Sequence, residues 1–556
     1  MKEMVLLGDE ALALGALHAG VSGCFGYPGT PSTEILEYLI ENYEKNGGPL
    51  AQWCVNEKTA YETALGFSFS GKRTIVTMKH VGLNVAADPF MNSSLCGIKG
   101  GLICVVADDP SMHSSQGEQD TRFYADFAMV PLFEPVNQQE AYEMVGEAFE
   151  ISEKFNVPVI MRMVTRLAHS RAVVHASDTA RPENPLEKGK PEDWMLLPAL
   201  ARKNYNKMLD KQPALGSWAD GYGRNILNIN SGRKDLAIIT SGLGLNYFQE
   251  NLADYKALCG DAGLPSTLHI STLPVPAGLV LKLSEAAETI MVIEEGMPFI
   301  EKQLRGIIPG KNKITGKYTG LLPRAGELNP DIVRKALGLA PKASVQDSMD
   351  QSGLPGRPPQ LCKGCPHTDS YTALNQTVAI LNEKEGKVST VVAADIGCYA
   401  LGASAPLKAI ETIVCMGASI GMARGASDAG YKYTFGVIGD STFLHSGLTG
   451  IVDAVASNTP MTVIILDNSI VAMTGCQPTM LPSSQFEKIV AGLGVDPAHI
   501  RTLSASPAKL EENTKALVEE AEYRGLSVII MVRECLEAFR LRRKKEALEK
   551  GPAENS

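Results

Sequence analysis

Short apolar runs alternate with longer amphipathic stretches from the start of the chain to about residue 175. Residues 4–7 read as a strand, and residues 9–18 carry helical spacing. Residues 23–27 read as a strand that runs into the turn cluster Pro28-Gly29-Thr30-Pro31-Ser32 ahead of another helix. Residues 74–78, 101–107 and 158–164 are further apolar strands. This alternation predicts a parallel sheet flanked by helices. Residues 176–233 lose the periodicity, are rich in Pro, Lys, Glu and Asn, and read as a connector wrapping the first block. The α/β pattern resumes at Asp235 and runs to about 340. A Gly- and Pro-containing linker follows over 341–360, then a third α/β block from Leu361 to about 534. The last residues are charged, with a helical start expected to fray.

At 556 residues the chain is expected to form more than one core. Its 44% hydrophobic and 21% charged content is ordinary for a globular protein. A net charge of −10 argues against nucleic acid as the main partner. Asp9 and Glu10 interrupt the first apolar run too early for a signal peptide, and no apolar segment is long enough to span a membrane. The expectation is a cytoplasmic protein. Eleven cysteines without a secretion signal make a disulfide framework unexpected. They are either buried thiols, as Cys104 inside an apolar strand suggests, or metal ligands.

The densest chemistry lies in residues 437–475. One apolar strand ends at Gly439-Asp440-Ser441, a helix follows, and a second strand ends at Asp467-Asn468. Neighbouring strand ends of a βαβ unit are where α/β sheets place ligands. Asp440 and Asn468 are hard oxygen donors, and a main-chain carbonyl, that of Ile470, would add a third for Mg²⁺. Gly439 allows close approach of a diphosphate, and the helix after Ser441 offers free N–H groups to it. An acidic cap and an Asp-Asn turn are the simpler alternative.

Gly439-Asp440-Ser441 with Asp467-Asn468 resembles the thiamine diphosphate signature, usually GDG…NN. A longer set resembles the large (alpha) subunit of the indolepyruvate ferredoxin oxidoreductase family. It comprises Ala394-Asp395-Ile396-Gly397-Cys398-Tyr399, the run from Cys415 to Ala423, Gly439 through Gln477-Pro478, and Leu361-Cys362-Lys363-Gly364-Cys365-Pro366-His367. Tyr27 to Ser32 and Asn56-Glu57-Lys58 match as well. The resemblance covers about 1–540. It implies an α/β, multi-domain thiamine diphosphate-binding fold with parallel sheets flanked by helices. The domains expected are a pyrimidine-binding domain at 1–190, a connector at 191–234, a transketolase C-terminal-like domain at 235–340, a linker at 341–360, a diphosphate-binding domain at 361–540 and a charged tail at 541–556.

The resemblance also implies roles. Glu57 matches the carboxyl that hydrogen-bonds the aminopyrimidine; as an acid in a helix's first turn it is also explained by the helix dipole. Glu62 is the fallback. Met416 would support the bent cofactor, Gly417 would let it approach, and Gly397, Cys398 and Ser419 would line it. His445 and His367 are candidates for the rim. Thr30 resembles the threonine that meets a substrate carboxylate, though a turn capping a helix accounts for it equally. Gln116 and Arg122, in a polar loop after a strand, are candidates for the substrate lining. Cys362, Cys365, Cys398 and Cys535 are the ligands implied for one [4Fe-4S] cluster; four thiolates also suit zinc, or no metal.

The implied activity is oxidative decarboxylation of a 2-oxo acid, an arylpyruvate such as indolepyruvate, to an acyl-CoA. Electrons would leave singly for ferredoxin or a similar acceptor. Coenzyme A, a small beta subunit, a ferredoxin-like carrier and a dimer of heterodimers are the expected partners. Two departures stand out. No CxxCxxCxxxCP run follows Arg540, so the family's ferredoxin-like domain is expected to be supplied elsewhere. Cys476 stands where histidine is usual, which puts the aryl preference in question. A non-oxidative decarboxylase or carboligase, and a cofactor-binding assembly subunit without catalysis, are the competing readings.

Overall fold

The computed structural model describes residues 2–310, 312–342 and 360–549, with side chains to 544. The chain divides into two compact units, Met1–Gln351 and Ser352–Ser556. In the first, a seven-stranded sheet runs, edge to edge, Thr272–Leu273, Leu132–Phe133, Val159–Val164, Leu102–Asp108, Thr74–Lys79, Gly23–Gly26 and Leu50–Trp53. All neighbours are parallel except the Thr272–Leu273 edge. Along Leu102–Asp108, Ile103, Val105 and Ala107 enter one core while Leu102, Cys104 and Val106 enter another. A strand covered on both faces reads as a continuous apolar run, which is why this one is conspicuous. A second sheet, in the order Lys313–Thr315, Thr289–Ile293, Leu236–Ser241, Ser266–Ile270 and Ile226–Asn228, shares both cores through Ile238 and Ile239.

Between the two sheets of this unit lies a buried ionic network. Arg162 pairs with Asp108 at 2.6 Å and with Glu134, and Arg122 pairs with Asp120 and Glu294 at 2.5 and 2.9 Å. Arg122 also donates to the carbonyls of Glu295 and Met297, which follow the second sheet. Removing either partner of such a pair leaves an uncompensated charge in the interior.

Two expectations from the pattern are corrected. The strand at 4–7 does not join the parallel sheet. Lys2–Leu7 pairs antiparallel with Arg171–Ala176 in a ribbon whose Val5 and Val173 face solvent while Leu6 and Val174 are buried. One exposed face is what an antiparallel pair tolerates. The connector read at 176–233 contains a 24-residue helix, Pro198–Gly221, with a proline in its first turn and Pro213 inside. Only Asn204, Met208, Leu215 and Ala219 are buried in it, a stripe too thin to register as periodicity.

The second unit is built on a six-stranded, wholly parallel sheet in the order Thr412–Ile413, Thr390–Ala394, Tyr433–Gly439, Met461–Asp467, Leu526–Val532 and Ile500–Ser504. Asp395, Asp440, Asn468 and Arg533 each follow one of its four central strands, so their backbones share one end of the sheet. The helix Leu536–Glu549 occupies much of the charged tail, and most of the linker read at 341–360 lies outside the described residues. Among the described residues no helix is long and apolar enough to cross a membrane.

Candidate cofactor and substrate sites

In the second unit, Asp440 opens a helical run that continues through a π-helical turn, Phe443–Gly447, into Leu448–Ala456. Its Oδ1 accepts the Ser441 N–H at 2.7 Å, and its Oδ2 accepts those of Ser469 and Asn468 at 2.7 and 3.2 Å. Asp467 is also buried here. One of its oxygens accepts from Ser469 at 3.0 Å and the other has no hydrogen-bond partner. Burial, and then the adjacent Asp467 carboxylate, push the Asp440 carboxyl well above the usual range. Two buried carboxylates in contact, one with an orphaned oxygen, are a donor set that a divalent cation completes. Asp467, read from sequence as the strand end beside Asn468 but not as a donor, joins the set.

Asn468 is held by its neighbours. Its Oδ1 accepts from Ile470 N–H at 3.2 Å, and its Nδ2 lies 3.1 Å from Nε2 of buried His367. Burial, with the Arg533 charge behind it, depresses His367 to about 4, so the ring is neutral and accepts the amide N–H. His367, expected at a rim, is instead a support for Asn468.

Around this cluster, Gly417 has φ +87 and a Cβ there would fall 2.5 Å from Cβ of Ser446, so only glycine lets Met416-Gly417 pack on the His445–Ser446 turn. His445 is buried, with Nδ1 2.5 Å from Ser446 Oγ. The ring of Tyr399 packs on both Gly397 and Gly439. Ser419 donates through its N–H and hydroxyl to Asp395 at 2.7 and 2.6 Å. Burial outweighs those bonds and raises the Asp395 carboxyl to about 6. The cofactor residues named in this unit thus gather at one end of its sheet, with Asp395 and Tyr399 beside them.

The four named cysteines approach one another. In Cys362-Lys363-Gly364-Cys365 the Cys365 N–H bonds to Cys362 O at 3.0 Å across a turn with Gly364 at φ +82. Arg533 donates to Gly364 O at 2.9 Å and pairs with Asp369, while the Cys535 N–H bonds to Asn468 O at 3.2 Å. Tyr371 O–H donates to Tyr399 O at 2.8 Å beside Cys398. Burial raises the Cys398 thiol to about 12, with further contributions from Cys365, Cys535, Cys362 and Cys476. Among the described residues these sulfurs do not form a group of three within 4.8 Å of one another.

In the first unit, Glu57 begins the helix Glu57–Phe69, whose cap is Asn56 accepting from Thr59 N–H at 2.8 Å. Its side chain is buried and packs on Gly82 in the short helix His80–Val85. A dipole role alone would leave it exposed, as Glu62 is, where it pairs with Lys58. Thr30 sits in a turn closed by Ser32 Oγ to Gly29 O at 2.7 Å and by Gly29 N–H to Thr33 Oγ1 at 3.0 Å. Ser114 Oγ donates to Thr30 O at 3.2 Å, and Lys79 Nζ donates to Ser114 O at 2.6 Å. Gln116 is exposed on the same loop. Lys79 was not anticipated; burial lowers its ammonium to about 8, with Asp109 opposing.

Arg122 is corrected. It is fully buried, and its five N–H donors are engaged by Asp120, Glu294, Ser241 and the carbonyls of Glu295 and Met297. It has no donor left for a substrate carboxylate.

Residues 14–199 match the family model described as pyruvate flavodoxin/ferredoxin oxidoreductase, thiamine diphosphate-binding. Residues 395–531 match that of the thiamine pyrophosphate enzyme C-terminal TPP-binding domain. Indolepyruvate oxidoreductase subunit IorA of Methanothermobacter thermautotrophicus is 35% identical over 96% of this chain and 87% of its own length. The IorA subunit of Archaeoglobus fulgidus is 34% identical over 98% and 88%. The 2-oxoglutarate synthase subunit KorA of Methanocaldococcus jannaschii is 26% identical over 41% of this chain and 62% of its own.

Proposed function

The chain belongs to the family of indolepyruvate oxidoreductase subunit IorA, the large subunits of thiamine diphosphate-dependent 2-oxo acid oxidoreductases, and we propose that it acts on an arylpyruvate. In that reading the 2-oxo acid would lose carbon dioxide, its acyl group would pass to coenzyme A, and two electrons would go to ferredoxin, a [4Fe-4S] cluster supplying the one-electron relay. The observation that carries the cofactor assignment is the buried, uncompensated pair Asp440–Asp467 beside Asn468. When bound, thiamine diphosphate supplies the nucleophilic carbon and the electron sink for decarboxylation. Asp440, Asn468 and the Ile470 carbonyl are the residues that would hold Mg²⁺ for the diphosphate, and Asp467 would balance the cation's charge. Glu57 hydrogen-bonds the aminopyrimidine and sets its tautomer. Thr30 would orient the substrate carboxylate, Gln116 would line the substrate, and His445 is the candidate to hold a proton. Met416 bears on the bent cofactor. Cys362, Cys365, Cys398 and Cys535 would ligate the cluster, four thiolates being a set suited to iron and sulfide.

A small beta subunit and a ferredoxin-like carrier complete the enzyme, in a dimer of heterodimers. The test is anaerobic co-purification with the small subunit, iron and thiamine analysis, and 2-oxo-acid-dependent viologen reduction across a substrate panel. Glu57→Gln abolishes turnover with folding retained; full activity in that variant removes the assignment. A thiamine-loaded preparation with no iron that decarboxylates without reducing viologen would support the non-oxidative reading instead.

A further inference from the structure

Asp9, Glu34 and His169 meet in the first unit, apart from every residue assigned above. Asp9 comes from the first turn of the helix Gly8–His18, Glu34 from that of Thr33–Asn46, and His169 from the end of Thr165–His169. One ligand atom from each lies within 4.8 Å of the other two, and His169 Nε2 is 3.5 Å from Glu34 Oε2. Asp9 is 0% exposed, and neither of its carboxylate oxygens has a hydrogen-bond partner; Glu34 Oε2 meets only the His169 ring. The contrast within the unit is sharp. Asp108 and Asp120 are equally buried, but each is neutralised by an arginine. Glu10, next to Asp9, turns back to accept from Leu7 N–H at 2.8 Å. An acid in a helix's first turn gains from the dipole at the surface and needs no such burial. A buried carboxylate with neither bond nor counter-charge is costly unless something neutralises it.

We propose that these three side chains form a site for a divalent transition cation of the Mn²⁺ class. Two carboxylates and one imidazole suit such an ion better than Ca²⁺ or Mg²⁺, which favour oxygen throughout. The half-exposed His169 side leaves room for water to complete the shell. The site braces two segments that present Thr30. Glu34 lies one residue beyond Thr33, whose Oγ1 accepts the Gly29 N–H. His169 ends the helix begun by Thr165, whose Oγ1 donates to Asp109 Oδ1 at 2.8 Å; Asp109 in turn accepts the Ser114 N–H at 2.8 Å. Cation binding itself does not depend on the role given to Thr30.

The test uses the full chain carrying Asp440→Asn, which removes the diphosphate site from the count, after chelator treatment. Mn²⁺ is the probe because cysteine thiolates compete for softer ions. Free Mn²⁺ is followed by electron paramagnetic resonance. One Mn²⁺ per chain is expected, and His169→Ala, an exposed position that should not disturb folding, weakens binding at least about tenfold. Asp9→Asn abolishes binding, since it removes the carboxylate and keeps the volume. Binding unchanged by His169→Ala, or no Mn²⁺ taken up at millimolar concentration, overturns the proposal.

Discussion

Replacing Gly82 by alanine tests Glu57 without altering its carboxylate. A Cβ at position 82 would lie 2.6 Å from Glu57 Oε1, 2.7 Å from Cγ and 2.9 Å from Cδ. Ordinary contact begins at 3.4 Å, so the side chain must withdraw by about 0.8 Å. Because Cγ is in the way as well as the oxygen, turning the carboxylate alone does not clear the contact. The backbone accepts alanine: Gly82 is helical and is not among the glycines of positive φ. Helix propensity favours the change by about 1 kcal/mol, against about 1–3 kcal/mol of overpacking. The fold should therefore survive. A reacting group misplaced by about 1 Å costs about 100-fold in rate, or roughly 2.7 kcal/mol of barrier. The assay is anaerobic viologen reduction by the co-purified complex, with thiamine diphosphate binding and melting temperature measured in parallel. The expected outcome is a kcat lower by about 100-fold with cofactor affinity and stability nearly unchanged. The double variant with Glu57→Gln should lose nothing further, because both changes act through one group. Full activity in Gly82→Ala, or losses that multiply in the double variant, would refute the reasoning.

Arg122→Met should destabilise the first unit by about 3–5 kcal/mol in chemical denaturation, since Asp120 and Glu294 are left buried without their counter-charge. A large rise in KM with unchanged stability would instead return Arg122 to the substrate. Asp395 makes a pH-dependent contribution of defined sign. Its folded carboxyl titrates at about 6 against an ordinary 3.8, so between those values the folded chain keeps a proton that the unfolded chain has released. Stability should fall as pH rises through that window, by about 3 kcal/mol, and Asp395→Asn should remove that part of the slope. Equal slopes in the two proteins would contradict the assignment. Cys398→Ser should lose cluster iron and visible absorbance while thiamine diphosphate still binds. Cys476→Ser, which lies outside the ligand set, should keep its iron; the reverse pattern would redraw the set.

Much of the fold was legible because its strands are buried on both faces. Thr74–Lys79, Leu102–Asp108 and Val159–Val164 stand out as apolar runs for that reason. Where burial is one-sided the reading weakened. Residues 4–7 were recognised as a strand but counted toward the parallel sheet, because pairing is decided by residues near 174 that local pattern does not reveal. Pro198–Gly221 was missed because a stripe of four buried residues among lysines and asparagines carries little periodic signal. Gly417, Gly439 and Gly397 are confined by Ser446 and Tyr399, so their identity is a steric requirement that leaves a mark on the sequence.

The two misjudged charges, Arg122 and Asp467, were misread for one physical reason. Sequence places Asp467 at a strand end and Arg122 at the end of the polar loop after a strand, both in the region where α/β sheets present ligand-binding groups. It does not say whether a charge buried there already has its counter-charge. Arg122 does: Asp120 and Glu294 meet it inside the unit, and nothing is left over for a ligand. Asp467 does not: it shares a buried pocket with Asp440 and retains an oxygen without a partner. Net buried charge is a sum over elements distant in the chain, such as 120 with 294 or 440 with 467, so it exists only in the folded molecule. The same criterion separates Asp9 from Asp108. Both are wholly buried aspartates, but only Asp108 has an arginine beside it, and that difference is what points a cation toward Asp9.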